Sequence, residues 1–228
     1  MKYFVSNPKL DTQISEIKQK IRLSMNGIVS EQMTQGGILY KKNFGVSIPR
    51  IKEISSEYIP NHELAQRLWA LKIRETMIMA TLLEPLDKFT TELANEWAQS
   101  FNHVEIVEQV CMNLYSKLAF ADELCKSFIS NNNIWIQIGG FTLAARVYEK
   151  LNQDLINLII LKALEISKTE DYHLYKALSV CLSRFCRKDK DTAGYILQQI
   201  NNFDVNKSVG QRFISSEVKQ EILFLEIL

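Results

Sequence analysis

Apolar residues recur at helical spacing through nearly the whole chain, and few residues are present that would stop a helix. Ile14, Ile17 and Ile21 lie three and four positions apart, as do Ile51, Ile54 and Tyr58, while Leu64, Leu68 and Trp69 repeat the pattern. Each set puts one apolar stripe on one face of a helix. Only four Pro and eight Gly occur in 228 residues. Gly36-Gly37 and Gly45 break the pattern between Gln32 and Ser47. Ser47 then caps a new helix with Pro49 in its first turn, and Pro60-Asn61 restarts the chain once more. The first helix is expected to run on towards Met25, and later ones over 74–83, 91–99, 104–115, 121–130, 134–151, 154–167, 171–185, 190–199 and 208–225. No bounded run alternates apolar and polar residues, so no sheet is expected.

The expected helices pair through short polar links such as Asn131-Asn132-Asn133 and Lys168-Thr169-Glu170. Similar helix centres recur at Met77, Glu108, Ile138 and Lys176, at intervals of 31, 30 and 38 residues. A hairpin that cannot bury its own stripe, repeated at that interval, is the pattern of a stacked solenoid. The expected fold is therefore all-α, an α-solenoid of HEAT-like helical hairpins with a concave groove, forming one domain over residues 1–228.

Charge narrows function only locally. Apolar residues make up 46% and charged residues 23%, and the net charge is +1, a globular balance that identifies no polyanionic partner by itself. Residues 1–60 carry nine Lys/Arg against five Asp/Glu, residues 61–130 six against ten, and residues 131–228 twelve against eleven. Phosphate contacts need local cation clusters. The candidates are Lys41, Lys42, Arg50 and Lys52 near one end and Arg184, Arg187, Lys188 and Lys190 near the other, each set with the alternative of a solvated face. Cys111, Cys125, Cys181 and Cys186 form no CxxC pair, which suits reduced core thiols in a cytoplasmic protein. Met1 to Lys9 lacks the apolar core of a secretory leader. Leu155 to Leu161 is too short to span a bilayer, so no membrane partner is expected. There is no phosphate-binding glycine loop, zinc signature or nucleophile elbow. No cofactor or metal is expected, and a monomer is.

Three stretches carry a resemblance. The first is Phe44-Gly45-Val46-Ser47-Ile48-Pro49-Arg50-Ile51-Lys52-Glu53-Ile54. The second is Glu63-Leu64-Ala65-Gln66-Arg67-Leu68-Trp69 followed by Ile73-Arg74-Glu75, and the third is Asn133-Ile134-Trp135-Ile136-Gln137. In order and spacing they resemble the bacterial DNA alkylation repair enzymes, the HEAT-like alkylpurine DNA glycosylases of the AlkD type, from about Leu23 to Phe185. The resemblance implies double-stranded DNA as partner and hydrolysis of the N-glycosidic bond of an alkylated purine. The cationic base leaves readily, so the protein's part is a carboxylate that stabilises the oxocarbenium-like sugar.

Carried over residue by residue, the resemblance gives Glu108 the catalytic carboxylate position. Val104 takes the position of a cleft Trp, Ile138 that of a cleft Arg, and Val180 that of a second Trp. Tyr172 and His173 match aromatic residues lining the groove, with Lys176 beside them, and Glu108, Ile138 and Val180 are expected to share one hollow. Exchanging Arg for Ile removes a phosphate contact, and exchanging Trp for Val removes a stacking surface. A changed lesion range, or plain DNA binding without the usual excision activity, therefore fits these residues. The alternative is a non-enzymatic HEAT-repeat scaffold that binds protein. Glu105 and Glu108 share a helix face and are expected to be solvated, His103 is expected at the surface, and Trp69, Trp97 and Trp135 in the core. Gly139-Gly140 marks either a close approach of two helices or room left for a ligand, and dense packing favours the first.

Overall fold

A computed structural model describes residues 4–226. The first three residues, where the leader reading begins, and the last two lie outside the described residues. The described chain is helical: α1 (Pro8–Leu23), α2 (Gly27–Gln35), α3 (Ile48–Ser56), α4 (His62–Ala70), α5 (Arg74–Leu83), α6 (Thr91–Ala98) and α7 (Val104–Asn113) come first. They are followed by α8 (Ala121–Ile129), α9 (Ile134–Val147), α10 (Gln153–Glu165), α11 (Tyr172–Cys186), α12 (Lys190–Ile200) and α13 (Val209–Phe224). Lys42 and Ile73 make an isolated parallel β-bridge.

Most helices begin with a side-chain oxygen that accepts an otherwise unpaired backbone N–H. Asn7, Asn26, Ser47, Asn61, Thr90, Asn133, Asn152, Asp171, Asp189 and Ser208 all cap in this way, each contributing about 1 kcal/mol. The expected start at Ser47 with Pro49 is therefore observed. Helix α5 has no side-chain cap. Its first N–H donates instead to the Lys42 carbonyl at 2.9 Å, so a loop strand does the cap's work.

The chain forms two compact units, residues 1–114 and 115–228. In the first, α5 packs against α3, α4 and α7, and Trp69 stacks on Trp97 with centroids 4.0 Å apart and planes within 4°. Gly45 adopts φ +67°, and a Cβ there would stand 2.1 Å from the Asn26 carbonyl. This loop can reach the Ser47 cap only with glycine at that position. In the second unit α9, α11 and α13 pack side by side, with α8, α10 and α12 behind them. Gly140 lets α9 rest on α8, since a Cβ there would meet the Ile129 amide nitrogen at 2.6 Å. The close approach expected from Gly139-Gly140 is met at Gly140.

Helix α2 was not among the expected elements. None of its residues is buried, and Ile28 is 72% exposed, so it has no buried stripe for a periodicity reading to find. The first helix accordingly ends at Leu23, short of Met25.

Candidate nucleic-acid interface

Helix α7 carries the expected carboxylate, and its environment begins at the cap. The Nδ1 of His103 accepts from the Ile106 N–H at 3.4 Å. The proton therefore sits on Nε2, which is buried without a partner. Burial, the largest influence, holds this imidazole down at about 4, and Tyr40 closes over it edge-on at 4.2 Å. His103 is thus a buried helix cap and not the surface histidine expected.

Glu105 also departs from expectation. Its carboxylate accepts from Arg74 Nε at 2.8 Å and Nη2 at 2.7 Å, a bidentate pair, and from the Tyr40 hydroxyl at 3.0 Å. Arg74 Nη1 continues to the Val46 carbonyl at 2.7 Å and to Glu75 at 3.1 Å. Glu75, fully buried, accepts from the Phe44 and Val46 amides at 3.2 Å. Burial alone would lower the Arg74 pKa, but Glu105 and Glu75 outweigh it and raise it. Burial first, and then Glu105, push the Tyr40 hydroxyl far up, so it remains a donor. This network joins the Phe44–Ser47 loop to α5 and α7. Glu105 is structural and does not form a solvated pair with Glu108.

Glu108 itself is exposed and has no hydrogen-bond or ion-pair partner among the described residues. Val104, one turn earlier, is half-buried and offers no ring. In water-like dielectric a carboxylate 4 Å from a developing cation gains only about 1 kcal/mol. Of the N-terminal cations, Lys41 and Lys52 are exposed. Lys42 lies over the Phe44 ring at 4.7 Å, while Arg50 is engaged by Ser24 at 3.1 Å and Glu53 at 2.7 Å.

In the second unit Ile138 is 1% exposed and belongs to the core. It therefore does not line a hollow, although that was expected of it. The solvent face of α9 carries Trp135, Thr142 and Arg146 instead, and Trp135 is half-buried where a core position was expected. The corresponding face of α11 carries Tyr172, Lys176, Val180 and Arg184 at intervals of four, all exposed, as a 3.6-residue period requires. Rings follow one another across the layer. Trp135 lies 5.2 Å from His173, His173 5.4 Å from Tyr172, Tyr172 5.5 Å from Tyr175, and Tyr175 5.0 Å from Phe213 of α13.

Nearer the C-terminal ends of α11 and α13 a groove of about 460 Å³ is lined by Val180, Arg184, Arg187, Glu217, Glu221 and Phe224, among others. Arg187 is committed within it, because its Nε donates to Glu221, which raises its pKa. Lys188 donates to the Leu151 carbonyl. Both were expected to be available to phosphate, and both have partners. Arg184 and Lys190 are exposed and make no ion pair among the described residues. Arg146, Arg212 and Phe213 were missed, although Arg146 stands four residues after Thr142 and so on the same helix face. Among the described residues no three His, Cys, Asp or Glu are grouped to hold a metal, and no helix is long and apolar enough to cross a membrane.

Comparison with known proteins bears on the whole chain. The fold matches a solved structure described as "A new family of proteins related to the HEAT-like repeat DNA glycosylases with affinity for branched DNA structures", with TM-score 0.78 and 13% identity. The match covers 93% of this chain and 95% of that one. Among curated proteins none matches. The family model described as DNA alkylation repair enzyme matches residues 18–206. The all-α fold is therefore of the HEAT-like repeat kind, and the chain belongs to the DNA alkylation repair enzyme family.

Proposed function

We propose that this protein is a DNA-binding member of its family that holds double-stranded DNA by backbone and shape and does not depend on base excision. The observation that carries this reading is the setting of Glu108. It stands in open solvent without a partner, with Val104 where a ring would pin the nucleotide and with Ile138 withdrawn into the core. A glycosylase must fix its carboxylate against the reacting sugar, and looseness of about 1 Å costs orders of magnitude in rate. Exposed Arg146, Lys176 and Arg184 supply the positive charge that phosphate contacts require. The structural neighbour's stated affinity for branched DNA extends the proposal to branched duplexes. The protein would act as a monomer in the cytoplasm.

The test compares wild type with Glu108→Gln in two assays, equilibrium binding to unmodified duplex and release of methylated purine from alkylated duplex. The reading is supported by equal binding and by release no faster than without protein. Release by wild type that Glu108→Gln abolishes would instead make Glu108 the catalytic carboxylate and the protein a hydrolase. A second reading, a protein-binding scaffold, draws on Leu23, Met25 and Ile28, which are 81%, 65% and 72% exposed around the turn between α1 and α2. Exposed apolar residues grouped in this way mark interaction surfaces. Failure to bind any DNA would favour that reading.

A further inference from the structure

Five rings cross the layer of α9, α11 and α13, and the outermost of them is arranged as a receptor for a flat partner. Tyr172 is 49% exposed. Its neighbours His173, Tyr175 and Phe213 meet it at interplanar angles of 73°, 83° and 70°, so none of them stacks parallel on it. The Lys176 ammonium lies over the ring, 5.6 Å from the centroid. A lysine at that distance on an exposed ring is weakly held, and a stacked aromatic partner displaces it. Once displaced, Lys176 remains beside whatever occupies the ring. Arg212, adjacent to Phe213, is exposed as well, and neither cation makes an ion pair among the described residues.

We propose that Tyr172, flanked by His173, Tyr175 and Phe213 and joined through His173 to Trp135, is a stacking seat for unpaired DNA bases, with Lys176 and Arg212 taking the adjoining phosphates. The inference rests on the DNA-binding reading and adds what the ring strip selects. A base inside a duplex already has both faces covered by its neighbours and has none to offer Tyr172. A base in a single-stranded flap or at a branch does. Cations alone do not distinguish these two forms, because phosphates line both. An exposed ring beside them, with no other ring stacked parallel on it, does.

The test measures the affinity of wild type, Tyr172→Phe, Tyr172→Ala and Trp135→Ala for a blunt duplex and for the same duplex with a single-stranded flap. Matched thermal melts check that each variant is folded, and the exposure of Tyr172 makes its variants the decisive ones. Wild type is expected to prefer the flap by roughly ten-fold, within the range of one base–aromatic stack. Tyr172→Phe keeps the preference, Tyr172→Ala loses most of it, and blunt-duplex affinity stays within about two-fold, since no phosphate contact is removed. A 2-aminopurine base in the flap should be quenched by wild type and not by Tyr172→Ala. Duplex binding without flap preference, or a preference unchanged in both alanine variants, would overturn the stacking seat and leave the DNA-binding reading standing. Absence of binding to either DNA would overturn both.

Discussion

Replacing Arg74 by Met tests whether the charged network of the first unit is what fixes the loop ahead of α3. Arg74 is 2% exposed and makes two bonds to Glu105, one to Glu75 and one to the Val46 carbonyl. Methionine fills much of the same space, so little cavity results. What remains is a buried carboxylate at Glu75 and a largely buried one at Glu105, both without their cation, together with an unpaired carbonyl. Losing one partner of a buried ion pair costs about 3–5 kcal/mol, which for a chain of this size lowers Tm by about 2–4 °C per kcal/mol. Arg74→Met should therefore melt roughly 6–20 °C below wild type. Glu105→Gln retains a hydrogen-bonding shape and should cost less than half as much. The assay is denaturant unfolding followed by tryptophan fluorescence, in which the stacked Trp69 and Trp97 pair of the first unit is a direct reporter. A loss below about 1 kcal/mol for Arg74→Met would mean that water solvates these carboxylates, and the buried-network argument would fail.

Two further outcomes follow from other packing features. Between the ordinary imidazole value of 6.5 and about 4, the unfolded chain binds a proton at His103 that the folded chain does not. Stability should therefore fall as pH drops through 6.5, by up to roughly 3 kcal/mol, and level off near pH 4 for this group. His103→Asn keeps a cap residue and should remove that part of the slope in urea titrations at matched pH, whereas an unchanged slope would exclude His103 as its source. At Gly140, alanine would gain helix propensity, but its Cβ would press on the backbone of Ile129 and Phe128 at 2.6 and 2.9 Å. Gly140→Ala is thus expected to lose about 1–3 kcal/mol, and a stabilised variant would refute the close contact of α8 and α9.

The helices were legible because their signals are local. Ser47-Pro49, Pro60-Asn61 and Asn131-Asn132-Asn133 act within a turn or two of themselves, and the stripes they bound do face a core. Helix α2 was illegible for the converse reason, since it buries nothing. The site was harder to read because its residues depend on what lies opposite. Glu105 and Glu108 look alike in sequence, three residues apart, yet Arg74 draws one inward and leaves the other in water. His103 reads as a polar surface residue until Tyr40 covers it. Arg187 and Lys188 look like free cations beside Arg184, but Glu221 and the Leu151 carbonyl, distant in sequence, already hold them. Ile138 carries a cleft role by resemblance alone, and the packing of α9 puts it in the core instead. Tyr172 and His173 were found through resemblance, and Phe213, which completes the ring strip, gave no signal outside its own helix.

If exposed cations of this chain hold DNA by its phosphates, as proposed, binding to unmodified duplex must weaken steeply as salt rises. Each phosphate contact contributes about 0.9 to the slope of log affinity against log salt. Contacts from Arg146, Lys176 and Arg184 alone should therefore give a slope of about −3 or steeper, and Arg184→Ala should make it shallower by about 1. A slope near zero, or one unchanged in Arg184→Ala and in the corresponding Arg146 and Lys176 variants, would contradict the account.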